Sequence, residues 1–389
     1  MPWQDLFPGV SEADWRDWRW QHRNALRTAA DLARIADLTE AERRGLALAE
    51  GRFRVAVTPY YASLVDRRHP ACPVRMQAIP TAAEGDHAPG DLRDPLGEEP
   101  HRPARAIVHK YGDRVLFLAV DRCSVYCRHC TRRRITFEDG EGFEKAAVDE
   151  GVAYVRAHPE VRDVIVSGGD PLVLSDERLE AVLAPLRAIP HVQLLRLATR
   201  APVTCPMRVT PALAAMLRRH APLFVVTHFN HPKELTPDAR AACELLVDHG
   251  VPVENQSVLL RGLNSSARIL TDLNERLLTA RVRPYYLHQG DVAEGTAHLR
   301  TPLEAGIAIL AEMRGRTSGL AIPHLAVDLP GGGGKVTIQP QWMLGREGTN
   351  TAFRSYKGDR YLYPDPPETD VRCPYEEVWY GAGASPRQG

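Results

Sequence analysis

Short apolar runs alternate with helical segments through the middle of the chain. Six apolar, β-prone runs recur at intervals of roughly 25–30 residues, each bounded by polar residues or glycine. They predict strands at Val115–Val120, Val164–Val166, Val192–Leu197, Leu223–Thr227, Val251–Val253 continuing to Val258–Leu260, and Val282–Leu287. Helical patterns lie between them at Asp176–Ala188, Pro211–Arg219, Pro237–His249 and Ser266–Thr279. Since parallel neighbours require crossovers of helical length, the pattern predicts an α/β fold built on a parallel sheet.

The two flanks of this repeat have different patterns. Residues 1–105 predict an N-terminal helical extension that ends in a surface linker at 80–105, rich in Pro, Gly, Asp and Glu. A helix at 301–320 and a strand at Ile322–Asp328 follow the repeat, and the tail from residue 340 is typical of an extended arm. We therefore expect three segments, which are the extension and linker at 1–105, the α/β repeat at 106–320, and a lysine-bearing glycine-rich loop with a C-terminal arm at 321–389.

The charge balance excludes several classes of protein. Among 389 residues, Lys+Arg and Asp+Glu both number 49, so no overall field favours nucleic acid or an anionic membrane. No apolar run approaches the ~20 residues that span a bilayer, and the N-terminus lacks the basic-then-apolar order of a signal peptide. Cys72, Cys205, Cys243 and Cys373 are scattered and show no disulfide framework. These features predict a cytoplasmic protein.

The remaining three cysteines lie together at Cys123, Cys127 and Cys130, directly after the first predicted strand. At the carboxyl end of a strand they are well placed to hold a metal centre over the sheet. Structural zinc takes four closed ligands and a cubane cluster has four irons, so three thiolates leave one metal position open. A zinc knuckle with His129 as fourth ligand is the alternative, although a histidine between two cysteines has little room to reach back.

Two glycine-rich stretches also end predicted strands. Ser167–Asp170, with the sequence SGGD, lets backbone approach a ligand closely. Pro330–Lys335, with the sequence PGGGGK, is either a phosphate-binding nest or a flexible loop. It is not a P-loop, because Val336 stands where that motif has serine or threonine.

His228 and His231, after the fourth strand, have a spacing that suits a metal-binding pair.

The spacing CxxxCxxC is the signature of the radical S-adenosylmethionine superfamily. Cys127–Arg134, with the sequence CRHCTRRR, closely resembles the cluster motif of the lysine 2,3-aminomutases, and the resemblance extends from about residue 11 to 365. It implies a partial (β/α)6 barrel and a [4Fe–4S] cluster whose open iron binds S-adenosylmethionine. It also implies pyridoxal 5′-phosphate as a further cofactor, and an electron donor such as flavodoxin or ferredoxin. The reduced cluster would cleave the sulfonium to a 5′-deoxyadenosyl radical.

The resemblance also assigns roles to residues at separated strand ends. The cluster would be held by Cys123, Cys127 and Cys130. S-adenosylmethionine would be bound by Gly168, Gly169, Asp170, Arg200, His228, Gln256 and His129. Lys335 would be the catalytic lysine that links covalently to pyridoxal phosphate, and the phosphate would meet Arg114 and, with a weaker match to the family, Lys110. The substrate carboxylate would meet Arg132, and its distal group Asp291 and Asp328.

Asp291 and Asp328 bear on the choice of substrate. Two carboxylates that converge in one buried pocket need a cation between them, since otherwise one would take up a proton. The pair predicts a cationic amino acid, with L-lysine favoured and β-lysine as product. Arginine or ornithine 2,3-aminomutase is the nearest alternative, whereas a glutamate-specific branch would carry basic or neutral residues there. A non-catalytic zinc or iron–sulfur regulatory module is the alternative from another class.

One departure from the family concerns assembly. The resembled proteins bind zinc between subunits through several cysteines, but here the tail has only Cys373, and Ser266 stands at the position of the barrel cysteine. We therefore expect a homo-oligomer without an interfacial zinc, with Tyr361–Tyr380 available to pack across a dimer.

Overall fold

The computed structural model describes residues 3–50, 53–136 and 145–366. Its strands are β1 Ile107–Tyr111, β2 Arg114–Val120, β3 Asp163–Gly168, β4 Leu194–Ala198, β5 Leu223–Thr227, β6 Val253–Leu259, β7 Val282–Gln289, β8 His324–Leu329, β9 Gly334–Ile338, β10 Met343–Glu347, β11 Asn350–Arg354 and β12 Arg360–Pro364. Its α-helices are α1 Trp3–Leu6, α2 Glu12–Arg16, α3 Trp18–Arg23, α4 Ala29–Ala33, α5 Glu40–Ala49, α6 Pro59–Ser63, α7 Pro73–Ala78, α8 Arg133–Thr136, α9 Lys145–Ala157, α10 Asp176–Arg187, α11 Ala201–Thr204, α12 Pro211–Arg219, α13 Pro237–Asp248, α14 Ala267–Thr279 and α15 Leu303–Met313.

A nine-stranded sheet with the order β1 to β9 forms the centre of the described structure. Strands β2 to β8 each run parallel to their neighbours, whereas β1 and β9 are antiparallel strands at the two edges. Helices α9 to α15 lie in the crossovers between successive parallel strands. This order confirms the predicted α/β partial barrel. The three predicted segment boundaries stay a prediction, and β8 and β9 continue the same sheet beyond residue 320.

Three of the predicted crossover helices, α10, α12 and α13, begin at a residue whose side chain caps the helix, and each buries one apolar face. Ser175 caps α10, Thr210 caps α12 and Thr236 caps α13. In α10, Leu179 and Leu183 lie on the apolar face of the helix and are fully buried. With every crossover on the outside, the carboxyl ends of the parallel strands converge at one edge, where ligands bind in barrels of this class.

The N-terminal extension is a set of short helices packed onto the barrel. Trp15 is buried and stacks on Trp3, with ring centroids 4.4 Å apart. Tyr61 in α6 is also buried, and its hydroxyl donates to Glu234 at 2.6 Å. Since Glu234 follows β5, this bond fixes the extension to the edge of the barrel where the strands end. No helix among the described residues is long and apolar enough to cross a membrane.

The prediction of a surface linker before the barrel is wrong for two of its acidic residues. Glu84 and Glu98 are 5% and 4% exposed. Glu84 accepts hydrogen bonds from Arg128 and Arg133, and Glu98 accepts one from Arg132. Composition alone predicts exposure, but these carboxylates are buried because each finds an arginine of the cysteine loop.

The C-terminal arm is also more ordered than its composition predicts. Strands β10, β11 and β12 form a separate antiparallel sheet, with tight turns at Gly348 and Gly358. Both glycines have a positive φ, of 61° and 93°, which only glycine adopts readily. Cys373 and most of the Tyr361–Tyr380 segment lie outside the described residues.

Candidate active site

One cavity of about 930 Å³ lies at the centre of the barrel. Its walls come from strands β1 to β9, from the cysteine loop after β2, and from the loops after β3, β4, β5 and β7. Every residue that the sequence nominated for the site lines this cavity, although their individual roles stay predictions. They are Lys110, Arg114, Cys123, Cys127, His129, Cys130, Arg132, Gly168, Gly169, Asp170, Arg200, His228, Gln256, Asp291, Asp328 and Lys335.

The cysteine loop is held by buried ion pairs from the N-terminal segment. Arg128, between Cys127 and Cys130, donates to Glu84 through Nε at 2.8 Å and through Nη2 at 2.5 Å. Arg133 donates to the same carboxylate at 2.5 Å. The buried Glu84 carboxylate therefore fixes both flanks of the loop. The two guanidinium groups offset the free-energy cost of removing this carboxylate from water.

The three thiols suit a multi-iron cluster better than a single ion. All are free and all line the cavity. Within residues 3–50, 53–136 and 145–366, no three His, Cys, Asp or Glu side chains converge closely enough to hold one metal ion. In a cubane each thiolate binds a different iron, so its thiolates need not converge on one point, as the ligands of a zinc knuckle must. His129 lies between two of them in sequence, and its Nδ1 is buried without a hydrogen-bond partner.

Arg200 places a cation against the cysteine loop. Its Nη1 donates to Cys127 Sγ at 2.8 Å. Its Nη2 is shared by Glu234 at 2.6 Å, Gln77 at 2.5 Å and the Tyr61 hydroxyl at 3.0 Å. These buried acceptors fix the guanidinium, so it faces the Cys127 sulfur with little freedom to turn away.

The SGGD turn packs tightly beneath the same loop. Gly168 has a φ of 115°, and a Cβ there would overlap the Val120 carbonyl oxygen. Asp170 accepts from Thr199 Oγ1 at 2.6 Å and from the Arg200 amide at 2.8 Å. Burial raises the pKa of Asp170, and these donors oppose that shift. The glycines thus serve close backbone packing, and the aspartate organises the loop after β4.

His228 and His231 do not form the metal pair that their spacing suggested. His231 caps the turn after β5, where its Nδ1 accepts from the Lys233 amide at 3.1 Å. His228 faces the cavity, and burial, with Arg200 and Arg132 nearby, lowers its pKa to about 3. It is therefore a neutral ring at the cavity wall.

Lys335 lies opposite Asp328 because β8 and β9 pair in antiparallel register at these two residues. Directly opposed side chains lie on one face of such a pair. Lys335 Nζ donates to Asp328 Oδ2 at 2.5 Å, and it lies 3.2 Å from His288 Nδ1. The Lys335 backbone amide donates to the Tyr111 hydroxyl at 2.9 Å. Three of the four preceding glycines have positive φ, so only glycine suits this hairpin.

The second acid, Asp291, lies in the loop after β7. It is half-buried and accepts a hydrogen bond from the Thr131 hydroxyl. Burial, together with the charge of Asp328, raises the pKa of Asp291 to about 6. The two carboxylates thus act on one another, and the Lys335 ammonium lowers the cost of placing them together.

Three basic side chains complete the cavity wall. Arg132 donates through Nε to Glu98 at 2.9 Å, which fixes the plane of its guanidinium. Arg114 lies 4.0 Å from the centre of the Tyr111 ring, and Lys110 donates to the Leu96 carbonyl at 3.0 Å. Arg114 and Lys110 are neighbours across the β1–β2 hairpin and suit an anionic group such as a phosphate.

Four residues with a part in this geometry were not predicted from the sequence. His288 and Tyr286 lie two apart on β7 and therefore face the same side, which is a signal that period-two patterns carry. Tyr111 and Glu98 had no such signal, since their partners lie far along the chain. A lysine that faces the cavity, together with basic residues and free thiols in the same wall, suits an enzyme with more than one cofactor.

Comparisons with known proteins agree with this geometry. A profile for lysine-2,3-aminomutase matches residues 310–380, and one for a 4Fe-4S single cluster domain matches residues 109–193. The L-lysine 2,3-aminomutase of Clostridium subterminale is 46% identical over 362 residues, covering 93% of this chain and 87% of that protein. The L-lysine 2,3-aminomutase of Bacillus subtilis is 44% identical over 362 residues, covering 93% and 77%. The glutamate 2,3-aminomutase of Clostridioides difficile is 39% identical over 362 residues, covering 93% and 86%.

The protein is thus a radical S-adenosylmethionine enzyme. More narrowly, the chain belongs to the lysine 2,3-aminomutase family, whose members are isomerases. The cofactors of the family are a [4Fe–4S] cluster, S-adenosylmethionine and pyridoxal phosphate, and the cavity fits all three. The thiols face one part of it, and Lys335 with the basic pair faces another.

Proposed function

We propose that this protein converts L-lysine to β-lysine by moving the amino group from C2 to C3. The observation that carries this proposal is the pair Asp291 and Asp328, with the Lys335 ammonium bound to Asp328. The pocket already holds a primary ammonium, which is the chemical group at the distal end of lysine, against Asp328. A glutamate side chain would add a further anion and meet repulsion.

The cavity divides the work of the reaction among this chain's residues. When bound, the cluster and S-adenosylmethionine supply a 5′-deoxyadenosyl radical, and pyridoxal phosphate supplies a carbonyl for the substrate amine and a ring that delocalises the unpaired electron. Cys123, Cys127 and Cys130 would hold the cluster. Arg200, His228 and Gln256 wall the space beside it, where S-adenosylmethionine would lie.

The rest of the wall would orient the amino acid. Lys335 would carry pyridoxal phosphate, with Arg114 and Lys110 at its phosphate. Arg132, fixed by Glu98, would bind the substrate carboxylate, and Asp291 and Asp328 would bind its distal ammonium. Holding both ends of the substrate fixes C2 and C3 relative to the radical source, and the enclosing barrel keeps water from the radical.

Assembly, location and electron supply are further parts of the proposal. The sheet β10–β12 exposes Met343, Tyr361 and Tyr363, each more than half exposed, which supports a homo-oligomer formed through this sheet. A reduced flavodoxin or ferredoxin would supply the electron. The cysteines within the described ranges are all unpaired, which supports a cytoplasmic location.

A substrate panel tests the proposal. The protein is purified and its cluster rebuilt without oxygen, then supplied with S-adenosylmethionine, pyridoxal phosphate and a reductant. Lysine, arginine, ornithine and glutamate are compared by product mass and chromatography. We expect β-lysine from lysine as the fastest reaction and no product from glutamate. If arginine or ornithine turned over faster than lysine, that amino acid would be the substrate in place of lysine. Turnover of glutamate would overturn the inference that the two carboxylates select a cationic substrate.

A further inference from the structure

His288 occupies a position beside the reactive nitrogen that no role assigned above explains. It lies on β7 with its ring enclosed by the cavity wall, 3.2 Å from Lys335 Nζ through Nδ1. Its other nitrogen, Nε2, lies 3.3 Å from Gln256 Oε1. An amide oxygen only accepts, so Nε2 carries the proton and Nδ1 presents its lone pair to the lysine.

The partner on the far side of Lys335 has a different effect. Asp328 lies 2.5 Å from Nζ and, as an anion, stabilises the protonated form of the lysine. A protonated lysine has no lone pair and cannot form a bond to the aldehyde of pyridoxal phosphate. The lysine therefore needs an acceptor for one proton, and His288 Nδ1 is the neutral acceptor within hydrogen-bond reach.

The charges around the ring allow the proton to move. The groups that face His288 are Lys335, Asp328, His228, the amide of Gln256 and the ring of Tyr286, whose centre lies 5.4 Å from that of the imidazole. While Lys335 is charged, burial and then the lysine itself lower the pKa of His288, so the ring is neutral. Once the proton has moved, that repulsion disappears. The imidazolium then lies 3.8 Å from Asp328 Oδ2, which stabilises it.

The geometry points to His288 as a catalytic residue that moves the proton of Lys335 when the lysine joins and leaves pyridoxal phosphate. One N–H proton passes from Lys335 to His288 Nδ1, and the freed lone pair bonds to the aldehyde carbon. The aldehyde oxygen leaves as water, taking the proton from His288 and a second proton from the lysine nitrogen. When the substrate amine displaces the lysine, His288 serves the same exchange, and no proton is consumed overall. This inference rests on the proposed role of Lys335 as the cofactor-bearing residue.

The test measures the covalent link itself, without radical chemistry. Pyridoxal phosphate is added to the full-length protein with its cluster in place, and the visible absorbance of the lysine adduct is followed over time. Borohydride reduction and mass spectrometry then locate the modified lysine. In His288→Asn the side-chain oxygen can still accept from Lys335 but cannot carry a proton. We expect the adduct to form about 10²-fold more slowly, with unchanged iron content.

Two further variants make the outcome decisive. His109→Asn is a matched control, because His109 lies on β1, bonds to the Tyr154 hydroxyl, and does not line the cavity. It should form the adduct at the wild-type rate. His288→Ala should form the adduct slowly, and added imidazole should restore the rate of adduct formation. A variant that had only lost structure would not respond to imidazole. Wild-type rates in both His288→Asn and His288→Ala, or a slow His288→Ala that imidazole does not rescue, would overturn the inference. A wild-type protein that forms no adduct on Lys335 would overturn the proposed function as well.

Discussion

The ammonium of Lys335 lies 2.5 Å from Asp328, directly across the β8–β9 hairpin. The lysine that would carry the cofactor thus occupies the carboxylate that would receive the distal ammonium of the substrate. Linking Lys335 to pyridoxal phosphate removes its positive charge from this position and leaves Asp328 open. Cofactor loading and binding of a cationic substrate should therefore support one another.

Asp328→Asn and Asp291→Asn test the distal pocket. Each removes one anion while keeping the shape of the side chain. Because truncating one partner of a buried charge pair costs at least about 2 kcal/mol, we expect KM for lysine to rise by about 30-fold or more. The control is Asp238→Asn on α13, far from the cavity, with an exposed carboxylate that pairs with Arg16. An unchanged KM in both pocket variants would place the distal ammonium elsewhere.

The raised pKa of Asp291 predicts how lysine binding depends on pH. Its pKa of about 6 means that the carboxyl takes up a proton as the pH falls below 6, and the neutral form does not attract an ammonium. Apparent affinity for lysine should therefore fall by about tenfold per pH unit below 6 and be constant above about 7. Titration calorimetry from pH 5 to 8 measures this. In Asp291→Asn the dependence should vanish, and if it persists another group controls it.

Glu84 should be essential for the cysteine loop. Glu84→Gln removes the negative charge that Arg128 and Arg133 share in a buried setting. Removing one partner of a buried ion pair costs about 3–5 kcal/mol, so we expect a large loss of stability in urea denaturation and poor iron incorporation. Glu99→Gln is the matched control, since Glu99 is exposed and lies within the same segment. Equal stability and iron content in the two variants would contradict this role.

The hydrogen bond from Arg200 to Cys127 should affect the cluster. Donors to a cluster sulfur stabilise the reduced, more negative state, so removing one lowers the reduction potential. In Arg200→Lys the charge remains near Glu234 but the forked geometry is lost, and we expect a lower midpoint potential in an EPR redox titration. A potential equal to that of the wild type would show that the guanidinium does not act on the thiolate when the cluster is bound.

The sequence predicted the parallel strands and their ends well because each carries an apolar run between crossover helices with capping residues. The residues that it nominated all line one cavity, since parallel strands bring their loop residues to one edge, and their roles stay predictions. It did not reveal the partners that hold them. Glu84 and Glu98 looked like linker residues, because the arginines that bury them lie on a loop whose position only the fold determines. His288 was missed because its neighbours, Gln256 and Lys335, come from other strands.

The most direct test of the proposed reaction follows the migrating nitrogen. Lysine labelled with ¹⁵N at C2 and with deuterium at C3 is given to the fully loaded, reduced protein, and the products are read by mass spectrometry and NMR. We expect β-lysine with ¹⁵N on C3, and deuterium shared between C2 of β-lysine and the 5′ carbon of the deoxyadenosyl group, because the hydrogen taken from C3 returns to C2. Loss of ¹⁵N to solution, or unchanged lysine from protein that contains cluster, S-adenosylmethionine and pyridoxal phosphate, would contradict it.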